Sequence, residues 1–206
     1  MALVKLNNRG VRSATTFGSI TGLGSMVFIK KVTASSSATV SFVDGTSDVV
    51  LDDTYKEYLF TFNNMHPATD AAELVFNVSI DSGSNYNVAK TTTFVQAYHI
   101  ESGLTSGLNY EPGVDLAQGT GTQVIGFNLG NDNDQGLGGY LHLFNPSSTT
   151  FVKHYMSRTQ NAESANNAFS VYSAGYANTT SAVDALQFSM SSGNIDAGDI
   201  CLYGIN

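Results

Sequence analysis

Apolar and polar residues alternate along most of the chain with a period of two. Tyr58, Phe60 and Phe62 alternate with Leu59 and Thr61, and Leu186, Phe188 and Met190 alternate with Gln187 and Ser189. Leu74, Phe76, Val78 and Ile80 alternate in the same way with Val75, Asn77, Ser79 and Asp81. Successive side chains of a strand point to opposite faces, so this period marks strands with one face in a core and the other toward solvent. Turn residues separate the runs: Asp44-Gly45, Ser82-Gly83-Ser84-Asn85, Asn145-Pro146-Ser147-Ser148 and Ser192-Gly193-Asn194. Glycine supplies positive φ, Asn and Asp bond their own backbone, and proline presets φ. The spacing predicts strands at 3–6, 25–34, 38–43, 48–51, 56–63, 72–80, 92–100, 123–129, 139–144, 150–157, 168–174, 183–190 and 199–205. Short strands with frequent turns point to an all-β sandwich or barrel.

Three stretches break the pattern. Residues 158–168 have no apolar stripe and read as a loop, not a helix. Residues 130–139 read as a loop rich in Gly, Asn and Asp, and residues 102–122, with five glycines and one proline, as a long irregular segment. A loop of that length in a compact domain usually carries function. No linker, composition shift or repeat divides the chain, so residues 1–206 read as a single domain. Residues 1–10, with Lys5 and Arg9, are either a docking arm or an edge strand.

Composition changes the picture chiefly through charge. Only 13% of residues are charged, and the net charge is −8. About a quarter is usual for soluble domains. Ser, Thr, Asn and Gly fill the polar positions instead, a surface suited to packing against neighbours or binding neutral polar ligands. The negative balance argues against nucleic acid, which requires a basic footprint. No apolar run reaches the roughly 20 residues of a membrane helix, and no secretory signal pattern opens the chain. The lone cysteine, Cys201, lies in an apolar run and reads as a small core residue. No cofactor is expected.

The sharpest local feature is Asn131-Asp132-Asn133-Asp134-Gln135-Gly136. Its alternating oxygen donors partly match a calcium loop, but the twelfth position is His142 where a glutamate is needed, so no metal is assigned. Together with Tyr110, the residues Asn131, Asp132, Asn133 and Asp134 form a candidate ligand-binding loop set, expected to gather with 102–122 at one end of the sandwich. If the runs flanking Asn145-Pro146 pair as a hairpin, His142 is expected near Lys153 or His154. Two histidines without a third ligand make a weak zinc site. Glycan hydrolysis needs two carboxylates at a fixed separation. Glu101, Glu111 and Asp115 share the irregular segment, but nothing sets them apart from solvated loop acids, so the chain is read as a non-enzyme.

The C-terminal run from Phe188 to Ile205, with Ser192-Gly193-Asn194 and Leu202-Tyr203-Gly204-Ile205, resembles the ending of virion proteins of tailed bacteriophages. Gly138-Gly-Tyr-Leu-His-Leu-Phe-Asn-Pro146 and Leu3-Val-Lys-Leu-Asn-Asn-Arg-Gly10 are similar to structural proteins of marine phages, including phages of cyanobacteria. The resemblance implies a concanavalin-like jelly-roll β-sandwich of about 12 antiparallel strands. It also implies a non-enzymatic capsid decoration or a fibre or appendage subunit, assembled in the host cytoplasm into the virion. Expected partners are further copies of the chain, with a trimer as one arrangement, and other phage virion proteins. The alternative is a carbohydrate-binding, receptor-recognition module of a tail fibre that meets host surface glycans. No nucleic acid or membrane partner is expected.

Overall fold

A computed structural model describes residues 25–206, which form twelve strands and no helix. These are β1 (Met26–Ser37), β2 (Val40–Val43), β3 (Glu57–Pro67), β4 (Ala72–Ser79), β5 (Lys90–His99), β6 (Ser106–Tyr110), β7 (Gln123–Leu129), β8 (Leu137–Phe144), β9 (Lys153–Ala162), β10 (Ala168–Ala177), β11 (Ala185–Met190) and β12 (Ile195–Ile205). They make an eight-stranded sheet, in the order β1-β12-β3-β8-β9-β10-β5-β6, and a four-stranded sheet, β2-β11-β4-β7. Every pairing is antiparallel. β12 lies between β1 and β3 in one sheet, while β11 lies between β2 and β4 in the other. The two ends of the described chain are thus wound together as nested pairs, and the β-sandwich follows from that winding.

Phe188 on β11 is the hub of the core. Its ring lies 5.3–6.4 Å from those of Phe42, Phe60, Phe62 and Phe76. Phe42 and Phe76 come from the small sheet, and Phe60 and Phe62 from the large one. Edge-to-face and tilted ring contacts of this kind add to area burial and fasten the two layers. The core is apolar where β12, β3 and β8 face the small sheet, with Ile200, Leu202, Phe60, Phe62 and Leu141 all buried.

Farther along the large sheet the inner face turns polar. β9 buries Lys153, Tyr155, Ser157, Thr159 and Asn161 in strict alternation. Among the described residues the small sheet ends there at β7, whose outer edge has no neighbouring strand in that sheet. Thr159 donates to the Ile125 carbonyl, and Asn161 Nδ2 donates to the Phe127 carbonyl at 3.0 Å. Two inward side chains of the large sheet therefore take the place of a fifth strand, in keeping with the rule that buried backbone groups find partners.

The remaining differences from the sequence reading have physical causes. Residues 48–51 are a turn, not a strand. Ser47 and Asp48 have positive φ, and the Gly45 amide donates to the Val49 carbonyl at 3.0 Å. Val49 and Leu51 are buried as plugs of the core. Residues 158–162 continue β9, since its inward positions there are polar. Part of the irregular segment is strand β6, and its continuation lies along β5: Lys90 exchanges both backbone bonds with Gly119, and the Thr92 amide donates to the Leu116 carbonyl. That segment shields the edge of β5. The predicted strand at 3–6 and the segment 1–10 lie outside the described residues.

Candidate functional site

Two surfaces have the shape and chemistry of a site. The first is a polar cleft of about 750 Å³ at one end of the sandwich. Its walls come from the end of β3 (Asn64, His66), the loop before β8 (Asn133 to Gly136), the end of β9 (Gln160, Ala162) and the start of β12 (Asp196, Ala197). Asn64 has a φ of 50°, where the register between β3 and β8 shifts. His66 spans the cleft wall. Its Nδ1 lies 3.6 Å from the Asp196 carboxylate, and its Nε2 lies 3.2 Å from the Asp132 carbonyl. Gln135 is buried beneath the loop and donates to Asn166 Oδ1 at 2.7 Å and to the Glu163 carbonyl at 3.3 Å. Its own oxygen accepts the Asp132 amide at 3.2 Å. The loop is therefore held from below by one buried amide.

The candidate loop residues fall into two groups. Asn133 and Asp134 line the cleft. Asp132 meets His66 through its carbonyl, and Asn131 turns back to Asp70 and Ala68 at 3.3 and 3.4 Å. Tyr110 is not among the cleft residues. It sits on the outermost strand β6, paired with Val95, and its hydroxyl donates to Asp115. The turn 100–105 does lie near this end, since the Glu101 amide donates to Asn167 Oδ1 at 3.3 Å. Glu111 accepts from Gln96 Nε2 at 2.9 Å, so Glu111 and Asp115 both act as hydrogen-bond acceptors for neighbouring side chains. Among the described residues no three His, Cys, Asp or Glu side chains converge as metal ligands.

The histidine pairing needs correction. β8 and β9 pair with His142 opposite Met156, not Lys153 or His154. β9 begins at Lys153, and the turn from Asn145 to Val152 is longer than the Asn-Pro signal suggests. Lys153 faces inward and is fully buried.

The second surface is the outward face of the eight-stranded sheet. Register places one row across it: Lys31, Cys201, Thr61, Tyr140, Arg158, Tyr172, Val95 and Tyr110. Cys201 is buried within this row, while Tyr140, Tyr172 and Tyr110 are 40–51% exposed. His142 follows Tyr140 along β8, and Phe144 follows His142, with ring centroids 5.6 and 5.8 Å apart. The Arg158 guanidinium lies over the Tyr172 ring at 5.2 Å. Two adjoining depressions of about 350 and 520 Å³ open here and share Phe144 and Met156.

Apolar alternation places Tyr and Phe inward by default and so passes over this face. The signal was present: in Tyr140-Leu-His-Leu-Phe144 the aliphatic residues face inward, which leaves the three rings outside. No protein-family model, curated protein or solved structure matches the chain.

Proposed function

We propose that the chain is a non-enzymatic structural subunit of a tailed-phage virion, a capsid decoration or an appendage subunit, that works by packing laterally against neighbours. The observation that carries the packing is the placement of exposed apolar side chains on both outermost strands of the large sheet. On β1, Met26 and Phe28 are 53% and 56% exposed; on β6, Leu108 and Tyr110 are 71% and 51% exposed, with Leu104 just before them at 85%. Isolated exposed apolar residues are ordinary on any protein. Pairs on two opposite rims of one sheet suit a subunit that meets one neighbour on each side. The low charge of the chain fits the same use, since charged residues are depleted at the centres of protein contacts.

The phage assignment itself rests on the resemblance of the C-terminal run and of the β8 segment. The nested pairing of β1 and β2 with β12 and β11 supports a jelly-roll winding on this reading. Mass spectrometry of purified particles, with the protein located by labelled electron microscopy, tests the assignment. Recovery in stoichiometric amounts is expected. Absence from particles, together with a monomer at millimolar concentration, would sink it.

A further inference from the structure

We infer that the outward face of the eight-stranded sheet holds a binding trough for an acidic saccharide, centred on Arg158 and running over β8, β9 and β10. The trough has two aromatic banks. Tyr140 and Phe144 stand on β8, and Tyr172 and Tyr176 stand on β10. The strand β9 separates them, so the banks are about 10 Å apart, twice the inter-strand spacing. Met156, 57% exposed, stands on β9 between the two depressions, with the small residues Ala174 and Gly175 beside it.

Sugar rings present apolar C–H faces and a rim of hydroxyls. A recognition surface for them needs aromatic faces beside hydrogen-bond donors, and this one has both. The tyrosines are amphipathic, with an apolar body and a polar tip. The His142 and His154 rings, on β8 and β9, add ring nitrogens along the trough.

The acidic character follows from charge. The chain carries −8 overall, yet no carboxylate lines either depression. Among the described residues no ion pair reaches Arg158; the nearest carboxylate pairing on this face is between His142 and Glu57, at 3.8 Å. The Arg158 guanidinium carbon lies 5.2 Å from the centre of the Tyr172 ring, a cation–π contact that anchors the side chain over β10. The N–H edge stays available for a planar two-bond contact, which a carboxylate matches and a hydroxyl does not. A uronate-bearing chain lying between the banks would place one carboxylate on Arg158, which Tyr172 holds in place, and a ring face on Tyr140.

This inference is independent of the virion assignment, because it concerns the purified chain alone. The test is calorimetric titration with oligogalacturonate, with a neutral glucan oligomer as control. Binding of the acidic oligomer is expected to weaken with added salt. It should fall about tenfold or more in Arg158→Gln, the scale of one charge-assisted hydrogen bond, and also fall in Tyr172→Ala. Asp134→Asn, in the end cleft, should leave it unchanged, and far-ultraviolet circular dichroism verifies that each variant is folded. Absence of binding overturns the inference. So does equal binding by Arg158→Gln, or a concentration-dependent dimer that Met156→Glu dissociates, since a second copy would then be what covers the face.

Discussion

At the scale of single residues, Phe188 and Lys90 have consequences that can be measured. Phe188 touches four other rings drawn from both sheets, so no one neighbour can move to fill its space. Phe188→Ala should cost about 3–5 kcal/mol in urea unfolding, the range for a large aromatic lost from a core, and Phe188→Leu clearly less. Lys90 is buried, and its Nζ donates to Asn77 Oδ1 at 2.5 Å and to the Val88 carbonyl at 2.9 Å, both uncharged acceptors. Burial pulls its amine down to about 8. Below that pH the amine is protonated in folded and unfolded chains alike, and the folded state bears the full cost of the buried charge. Between about 8 and the ordinary lysine value near 10.4 the unfolded chain binds more protons, so stability must rise with pH. A gain of about 1 kcal/mol between about pH 7 and 9 is expected, below the range where the tyrosines of the unfolded chain ionise appreciably. Burial also lowers Lys153, which adds in the same direction. The pH slope should flatten in Lys90→Met, and an unchanged slope would show that Lys90 is not the group responsible. Neither residue's role was legible in the sequence. Phe188 reads as one core aromatic among many, and an inward lysine contradicts the apolar pattern from which inward positions are read.

At the scale of elements, legibility follows the chemistry of the inward face. β3 and β11 bury Tyr, Phe, Leu and Met at alternate positions, and β4 buries Leu74, Phe76 and Val78 in the same rhythm with Val75 and Asn77 buried between them, so the apolar alternation locates all three in the sequence within a few residues. β9 alternates just as strictly, but with Lys, Tyr, Ser, Thr and Asn inside, and there the apolar period lapses after Tyr155. Two of those positions, Thr159 and Asn161, supply donors to the Ile125 and Phe127 carbonyls of β7, where the small sheet ends. That demand arises from tertiary structure, and no local pattern can announce it. Of the candidate site, Asn133 and Asp134 were legible as an exposed polar loop. Their cleft partners His66, Asn64 and Asp196 were not, since winding alone brings them together. The accounting at β7 is testable. Thr159→Val keeps the shape of the side chain and removes the donor to the Ile125 carbonyl. It should cost about 1–3 kcal/mol, the penalty for leaving a buried polar group unpaired, and should speed amide exchange in β7. Thr150→Val, at an exposed turn position, should be near neutral in the same measurements. Close approach of the β8 and β9 backbones can be tested separately. A Cβ at Gly139 would lie 2.4 Å from the Arg158 carbonyl oxygen, a backbone atom that cannot swing aside. Gly139→Ala should therefore spread β8 from β9 and separate Tyr140 from Arg158, seen as faster amide exchange in both strands.

At the scale of the whole molecule, the proposed lateral packing makes a specific demand of the two apolar rims. A two-fold contact uses the same patch on both partners, whereas a head-to-tail contact joins two different patches and yields a ring or an open filament. The rims differ. β1 is twelve residues long and presents Met26 and Phe28, while β6 is five residues long and presents Leu108 and Tyr110. They stand at opposite ends of the sheet order, which favours the head-to-tail case. Phe28→Glu should abolish the β1 patch and leave the β6 patch intact, and Leu108→Glu should do the reverse. Each variant alone should then be monomeric in light scattering, because each contact requires one patch of either kind. Mixing the two in equal amounts should restore a contact between the intact β6 rim of one and the intact β1 rim of the other. That pair has no further good rim to offer, so growth should stop at a heterodimer. A two-fold assembly would behave otherwise: only one of the substitutions would dissociate it, and mixing would recover nothing. A wild-type chain that stays monomeric at every concentration would remove the lateral-packing reading altogether.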